Sequence, residues 1–130
     1  MPNESKSKRS TTQPVARVSR GHFAPDKYDE AKRLLAQSAG PLAPAIQALK
    51  GLLYFHAGLD ANTNTIVNVS IWETEQAARQ MDTLAPMLAQ RRIMEAAGVQ
   101  FDKNANYETV WTLGGREPLV SSESRSPQKC

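Results

Sequence analysis

Apolar and polar positions along the chain change period several times, and each change marks an element. Val15 to Phe23 alternates loosely and ends at Ala24-Pro25, which predicts a strand leading into a helix. Pro25 suits a first helical turn, and Asp26, Asp29 and Glu30 suit the positive end of its dipole. Tyr28, Ala31, Leu34, Leu35 and Ser38 then recur at helical spacing. Gly40-Pro41 predicts a stop, followed by a short second helical piece carrying Leu42, Ala45, Ile46 and Leu49 and closed by Gly51. Leu52 to Asp60 and Thr65 to Glu73 read as strands, joined by the polar turn Asp60-Ala61-Asn62-Thr63-Asn64. Thr74 is the expected N-cap of the next helix, with Glu75 in its first turn. Pro86 interrupts that helix, and Asp82 or Thr83 is placed to cap a fresh one. Leu84, Met87, Leu88, Met94 and Ala97 form its apolar stripe, and Gly98 ends it. A last strand is expected over about Asn106 to Leu113, with extended chain possible from Val99.

The order β-α-β-β-α-β predicts an α+β fold of the ferredoxin-like, split βαβ kind: a four-stranded antiparallel sheet with helices on one face only. Alternation sorts each strand into two rows. Val67, Val69 and Ile71 suit the helix-covered face of the third strand, as do Leu53, Phe55, Ala57 and Leu59 of the second. That assigns Leu52, Tyr54, His56, Ile66, Asn68, Ser70 and Trp72 to the open face, with Tyr107, Trp111 and Leu113 of the last strand beside them. Such a face is too apolar to leave in water. Packing two copies face to face about a two-fold axis would bury it, so the expected partner is a second copy of the chain. A mixed apolar and polar lining also suits a small flat ligand.

Composition narrows the field. With 130 residues and 40% hydrophobic content the chain has room for one domain, expected over 15–113. Residues 1–14 and 114–130 are rich in Ser, Thr and Lys or in Gly and Ser, and are expected to be disordered tails. Of the net charge of +3, residues 1–13 carry +2 and 114–130 carry +1, leaving ten basic against ten acidic residues between. A neutral domain lacks the positive face that nucleic acid requires, so no nucleic-acid partner is expected. No apolar run approaches the length of a membrane span and no secretory signal is visible, so no membrane association and a cytoplasmic location are expected. The single cysteine, Cys130, excludes a disulfide framework or a zinc site built on cysteine spacing, and no metal or other cofactor is expected.

Chemistry can be carried by few residues. Trp72 fits a pocket wall or a buried aromatic of core or interface. His56 has the imidazole of a general base, but equally that of an interior histidine bonded to a neighbour. Asn68 needs a hydrogen-bond partner when buried, either across the sheet or on a substrate carbonyl, where it would stabilise developing negative charge. Arg91-Arg92 reads as a solvated helix face or as a clamp for an anion. Met81, Met87 and Met94 serve as core filler or as the wall of a pocket for a flat ligand. No phosphate loop, nucleophile elbow or His-Glu-x-x-His run occurs.

Two stretches carry a resemblance. Leu49-Lys50-Gly51-Leu52-Leu53, entering the second strand, and Ile71-Trp72-Glu73-Thr74-Glu75-Gln76-Ala77, leaving the third, resemble the antibiotic-biosynthesis-monooxygenase-like proteins of the dimeric α+β barrel superfamily. The resemblance spans about residues 15–113. It implies a homodimer of facing sheets, a pocket between sheet and helices in each protomer, and oxidation of aromatic phenols by molecular oxygen without metal or flavin. It also implies roles for Asn68 and Trp72 in orienting substrate, with Tyr54 and Arg92 as looser candidates for substrate contact. The residues themselves add His56 as the candidate proton acceptor, and the open face adds Ser70 and Trp111 as candidate substrate contacts. The alternative is a non-catalytic dimeric module that binds a ligand or partner. Haem binding or degradation ranks third. Relatives that degrade haem pair the strand-exit tryptophan with an asparagine in the first strand and a histidine about ten residues beyond, whereas Val15 to Phe23 has no asparagine here and Met81 and Asp82 stand near the histidine position.

Overall fold

The computed structural model describes residues 13–114, so the two expected tails and Cys130 lie almost wholly outside the described residues. The strands are β1 (Val15–His22), β2 (Leu52–Asp60), β3 (Thr65–Trp72), β4 (Gln100–Phe101) and β5 (Ala105–Glu108). The α-helices are α1 (Tyr28–Gln47), α2 (Glu75–Arg79) and α3 (Ala85–Ala96), with 3-10 turns at Pro25–Lys27 and Gln80–Thr83. All strand pairs are antiparallel, in the order β2-β3-β1, with β4 and β5 both on the far side of β1. This is the expected ferredoxin-like α+β arrangement, and the sheet is open rather than closed into a barrel.

The expected last strand is β4 and β5 in succession. Gly21 pairs with Phe101 and Val18 with Ala105, so β4–β5 holds one residue more than β1 across the gap and bulges at 102–104. Pairing ends at Glu108, so Trp111 and Leu113 are not on the sheet as the alternation predicts. Trp111 is 75% exposed.

The helix expected to stop at Gly40-Pro41 continues to Gln47 through both Pro41 and Pro44. The two prolines and Gly40 face solvent, so carbonyls that lose their amide partner can bond to water. Ala31, Ser38, Leu42 and Ile46 meanwhile form one buried stripe along the whole helix. Burial of that stripe outweighs the local breakers. Other local signals act as expected. Thr74 Oγ1 accepts from the Ala77 amide at 3.1 Å and caps α2. Asp60 accepts from the Asn62 amide at 3.0 Å and from the Thr63 hydroxyl at 2.9 Å, closing the β2–β3 turn. At the end of α3, Gly98 has φ +105, its amide bonds the Glu95 carbonyl, and the Val99 amide bonds that of Met94. These paired bonds form the glycine-terminated helix end that left-handed backbone allows. The third helix itself has no side-chain cap, since Leu84 rather than Asp82 or Thr83 occupies its N-cap position.

Strand register corrects the faces. Val15 pairs with Trp72, Arg17 with Ser70, and Ser19 with Asn68, while Phe55 pairs with Ser70 and Ala57 with Asn68. The row Ile66, Asn68, Ser70 and Trp72 lies under the helices, and Val67, Val69 and Ile71 form the outer row, the reverse of the expected assignment. Both rows of β3 carry large apolar residues, so alternation separates them without saying which is inside. Phe55, Ala57 and Leu59 face inward as expected. A bulge with Leu53 as the extra residue exchanges the two ends: Leu52 turns inward and Leu53 is exposed.

Two core clusters hold helices to sheet. Val15, Leu42, Ile46, Trp72, Ala78 and Met81 pack at one end, and Phe23, Ala31, Ile66, Met94 and Val99 at the other. Between them lies a cavity.

Candidate functional site

The inward face of the sheet is apolar at both ends and polar across its middle. One end rung runs Leu52, Trp72 and Val15, and the other Leu59, Ile66, Gly21 and Phe101. The two rungs between them run Phe55, Ser70, Arg17 and Asn106, then Ala57, Asn68 and Ser19. Asn104, in the β4–β5 bulge, also lines the cavity. Above this band, Leu35, Leu42 and Ile46 of α1 and Met87 and Met94 of α3 supply an apolar roof. The cavity volume is about 570 Å³, within the range of small-molecule sites.

Hydrogen bonding inside the band is incomplete. Trp72 is fully buried, and its Nε1 donates to Ser70 Oγ at 2.8 Å. Arg17, 6% exposed, donates from Nη2 to Asp82 Oδ1 at 2.7 Å. By contrast, the buried carboxamide oxygens of Asn68, Asn104 and Asn106 have no hydrogen-bond partner among the described residues. All three belong to the polar middle of the sheet or the bulge beside it. Buried polar atoms are normally paired, so these oxygens are acceptors that a further molecule, water included, can satisfy.

The predicted site residues divide between the two faces. Asn68 and Ser70 line the cavity. Trp72 stands behind Ser70 as core, reaching the cavity through that hydroxyl rather than as wall. Tyr54 and His56 lie on the outer face, in register with Ile71 and Val69, so the structure does not bring His56 to Asn68. Arg92 is exposed, and its neighbour Arg91 lines the cavity instead, stacked 4.9 Å above the Phe101 ring and paired with Glu95 at 3.1 Å. One residue's helical rotation, about 100° at 3.6 residues per turn, separates the two arginines. Trp111 lies on the exposed segment after β5 and is not part of the cavity lining. Met81, Met87 and Met94 all line it.

Sequence reasoning missed Arg17, Ser19 and Asn104, and saw Asp82 only as a helix cap and as a neighbour of the histidine position of haem-degrading relatives. Arg17 was findable in principle, since it shares a row with Val15 and Gly21, two buried positions of β1. Without the face assignment, that phase says nothing.

Among the described residues no group of three or more His, Cys, Asp or Glu side chains comes together to hold a metal ion. Among the described residues the cavity lining contains no histidine, cysteine or tyrosine, so its described donors do not fit haem iron held by imidazole, thiolate or phenolate. No helix among the described residues is long and apolar enough to cross a membrane.

Comparison with known proteins places this architecture. No family model matches the sequence, and no curated relative matches it. Solved structures do match in fold. SnoaB, a cofactor-independent oxygenase from Streptomyces nogalater, is 18% identical, with a TM-score of 0.55 over 78% of this chain and 98% of its own. A protein assigned as an antibiotic biosynthesis monooxygenase from Deinococcus radiodurans is 15% identical, with a TM-score of 0.60 over 77% and 96%. Another so assigned, from Nitrosomonas europaea, is 15% identical, with a TM-score of 0.59 over 80% and 97%. The resemblance carried by the strand-exit tryptophan therefore holds at the level of the whole fold: the described chain has the architecture of the antibiotic-biosynthesis-monooxygenase-like proteins.

Proposed function

We propose that the chain binds a small, flat, hydroxylated aromatic molecule between sheet and helices and oxidises it with molecular oxygen, as a homodimer. The observation that carries this is the buried Asn68 Oδ1, without a hydrogen-bond partner among the described residues, in a polar band framed by apolar walls. The walls suit aromatic rings, and the band suits oxygen substituents on one edge. A fold shared with a cofactor-independent oxygenase supports the reaction class. In such a reaction the ionised phenol supplies the electrons. Its ring carbon gains one oxygen atom of O₂, and the other leaves as water with the two hydrogens lost from that carbon and the hydroxyl. The product is a quinone, and no external reductant is consumed. Asn68 Oδ1 would accept from the phenolic hydroxyl and its Nδ2 amide would donate to that oxygen once ionised, and Ser70, fixed by Trp72, would hold a second polar edge.

His56 has no place in this step, because it projects from the other side of the sheet. Its surroundings there support the dimer instead. Val18, Val67, Val69 and Ile71 make a continuous apolar row with Tyr54 and Tyr107 at its margins, and no described helix covers it. A second copy laid on this face would bury it.

The second reading, a non-catalytic binding module, is favoured by one feature. Asp82 is the only carboxylate among the described lining residues, and it is bonded to Arg17 rather than standing free as a base.

Oxygen uptake with a panel of naphthols and hydroquinones tests the proposal. Turnover that falls about a hundredfold or more in Asn68→Ala, as expected for loss of one oxyanion donor, while a surface change such as Lys32→Ala leaves it intact, would establish it. Saturable binding without oxygen uptake would establish the second reading.

A further inference from the structure

We infer that the cavity selects aromatic molecules bearing a carboxylate, and that this group is anchored on Arg17 by displacing Asp82. The inference rests on the reading of the cavity as an aromatic binding site.

The pairing of Arg17 is lopsided. The guanidinium side chain is 7% exposed, deep on the inward face of β1, whereas the Asp82 side chain is 49% exposed on the 3-10 turn between α2 and α3. Taking a cation out of water is costly unless its partners come with it, and this partner stays half in water. The contact is also single: one Nη2 to one carboxylate oxygen, the only hydrogen bond of that guanidinium to a described residue. Arginine is suited to a two-pronged grip on a planar oxyanion, which this contact does not use. Neighbouring groups do not complete it. Ser70, opposite Arg17 on β3, is engaged by Trp72, and the Asn106 oxygen, opposite on β5, has no hydrogen-bond partner, Arg17 included, among the described residues.

Charge suits this exchange rather than an added anion. The charged residues of the described lining are Arg17, Arg91 and Asp82. Arg91 leans on Phe101 and is paired with Glu95, so Arg17 and Asp82 balance each other, and an anion that takes the place of Asp82 on Arg17 keeps that balance. A planar oxyanion on a flat ring would lie along the sheet, take both prongs of Arg17, and release Asp82 to the solvent it already half occupies. Asp82 is then a resident counterion: it keeps Arg17 in place before binding and competes with the ligand's acid group.

Isothermal titration with 2-naphthoate and its neutral isostere 2-naphthamide tests this. The wild-type chain should bind the naphthoate about tenfold or more tightly, the smaller end of what a charge-assisted bond provides. Arg17→Gln should remove that preference while still binding the naphthamide. Asp82→Asn should tighten naphthoate binding several-fold and leave naphthamide unchanged, because a competitor has been removed. Equal affinities in the wild-type chain, or a preference that survives Arg17→Gln, would overturn the anchor. Weaker naphthoate binding in Asp82→Asn would overturn the displacement. Should Arg17→Gln not fold, the wild-type pair of affinities and Asp82→Asn decide without it. Naphthamide binding without preference for naphthoate leaves the aromatic cavity standing and removes only the anchor. Failure of both probes to bind removes both.

Discussion

The two faces of one sheet are built from alternate residues of the same strands, yet they end in opposite states. On the inner face the ends are apolar and sealed by helices, with Trp72 wholly buried, while the middle is polar and short of partners at Asn68, Asn104 and Asn106. On the outer face the middle is the apolar row Val18, Val67, Val69 and Ile71, and the margins are Tyr54 and Tyr107, each more than half exposed. The inner face is finished in hydrophobic terms and unfinished in hydrogen bonding. The outer face is the converse. The first deficit is one a small polar-edged ligand corrects, and the second is one only a large apolar surface corrects. One sheet therefore presents two kinds of surface with no residue shared between them.

That contrast can be broken by substitution. The largest effect is expected at Trp72→Ala, which opens a void in the sealed end and removes the donor to Ser70. Loss of about 3–5 kcal/mol is expected, read as a lowered urea midpoint, whereas Tyr54→Ala on the other face should shift it by no more than about 0.5 kcal/mol when measured on the monomer. A comparable loss in both variants would mean that the faces are not energetically distinct.

Next in size is Val69→Lys, at the centre of the outer row. It should convert a dimer to a monomer in sedimentation velocity at micromolar concentration while the circular dichroism of the fold is retained. An unchanged sedimentation coefficient would show that this face is not where copies meet.

The smallest effect is expected at Thr74→Ala. Removing the side-chain acceptor for the Ala77 amide should cost about 1 kcal/mol, because it loosens the start of α2, whose Ala78 and following Met81 close over Trp72. Equilibrium denaturation with an unchanged m-value would confirm it. Binding of 2-naphthamide should be little altered, since Thr74 does not line the cavity.

How far the sequence reaches is visible in particular residues. Local chemistry wrote several features unambiguously: the Asp60–Asn64 turn, the Thr74 cap, the Gly98 helix end, and the limits of β2. Each depends on groups within a few residues of one another, so the order of elements and the ferredoxin-like class follow from the string of letters. Asn68 and Ser70 were also recognisable as candidates, as polar residues in an otherwise apolar strand. Their side of the sheet was not. In β3, Ile66 and Trp72 make one row as apolar as Val67, Val69 and Ile71, and a period of two cannot rank two greasy rows.

What tertiary structure alone decided follows from that ambiguity. Pairing of Arg17 with Ser70 and Ser19 with Asn68 brought residues about fifty positions apart onto one rung, and docking of α1 and α3 chose which face they would share. The same docking held α1 helical through Pro41 and Pro44, against its local signals, because its buried stripe runs unbroken from Ala31 to Ile46. It also sent His56 away from Asn68. Sequence determines what short-range bonds and periodicity can express; which row is buried, and therefore which polar groups are left wanting a ligand, is a property of surfaces that exist only after distant segments meet.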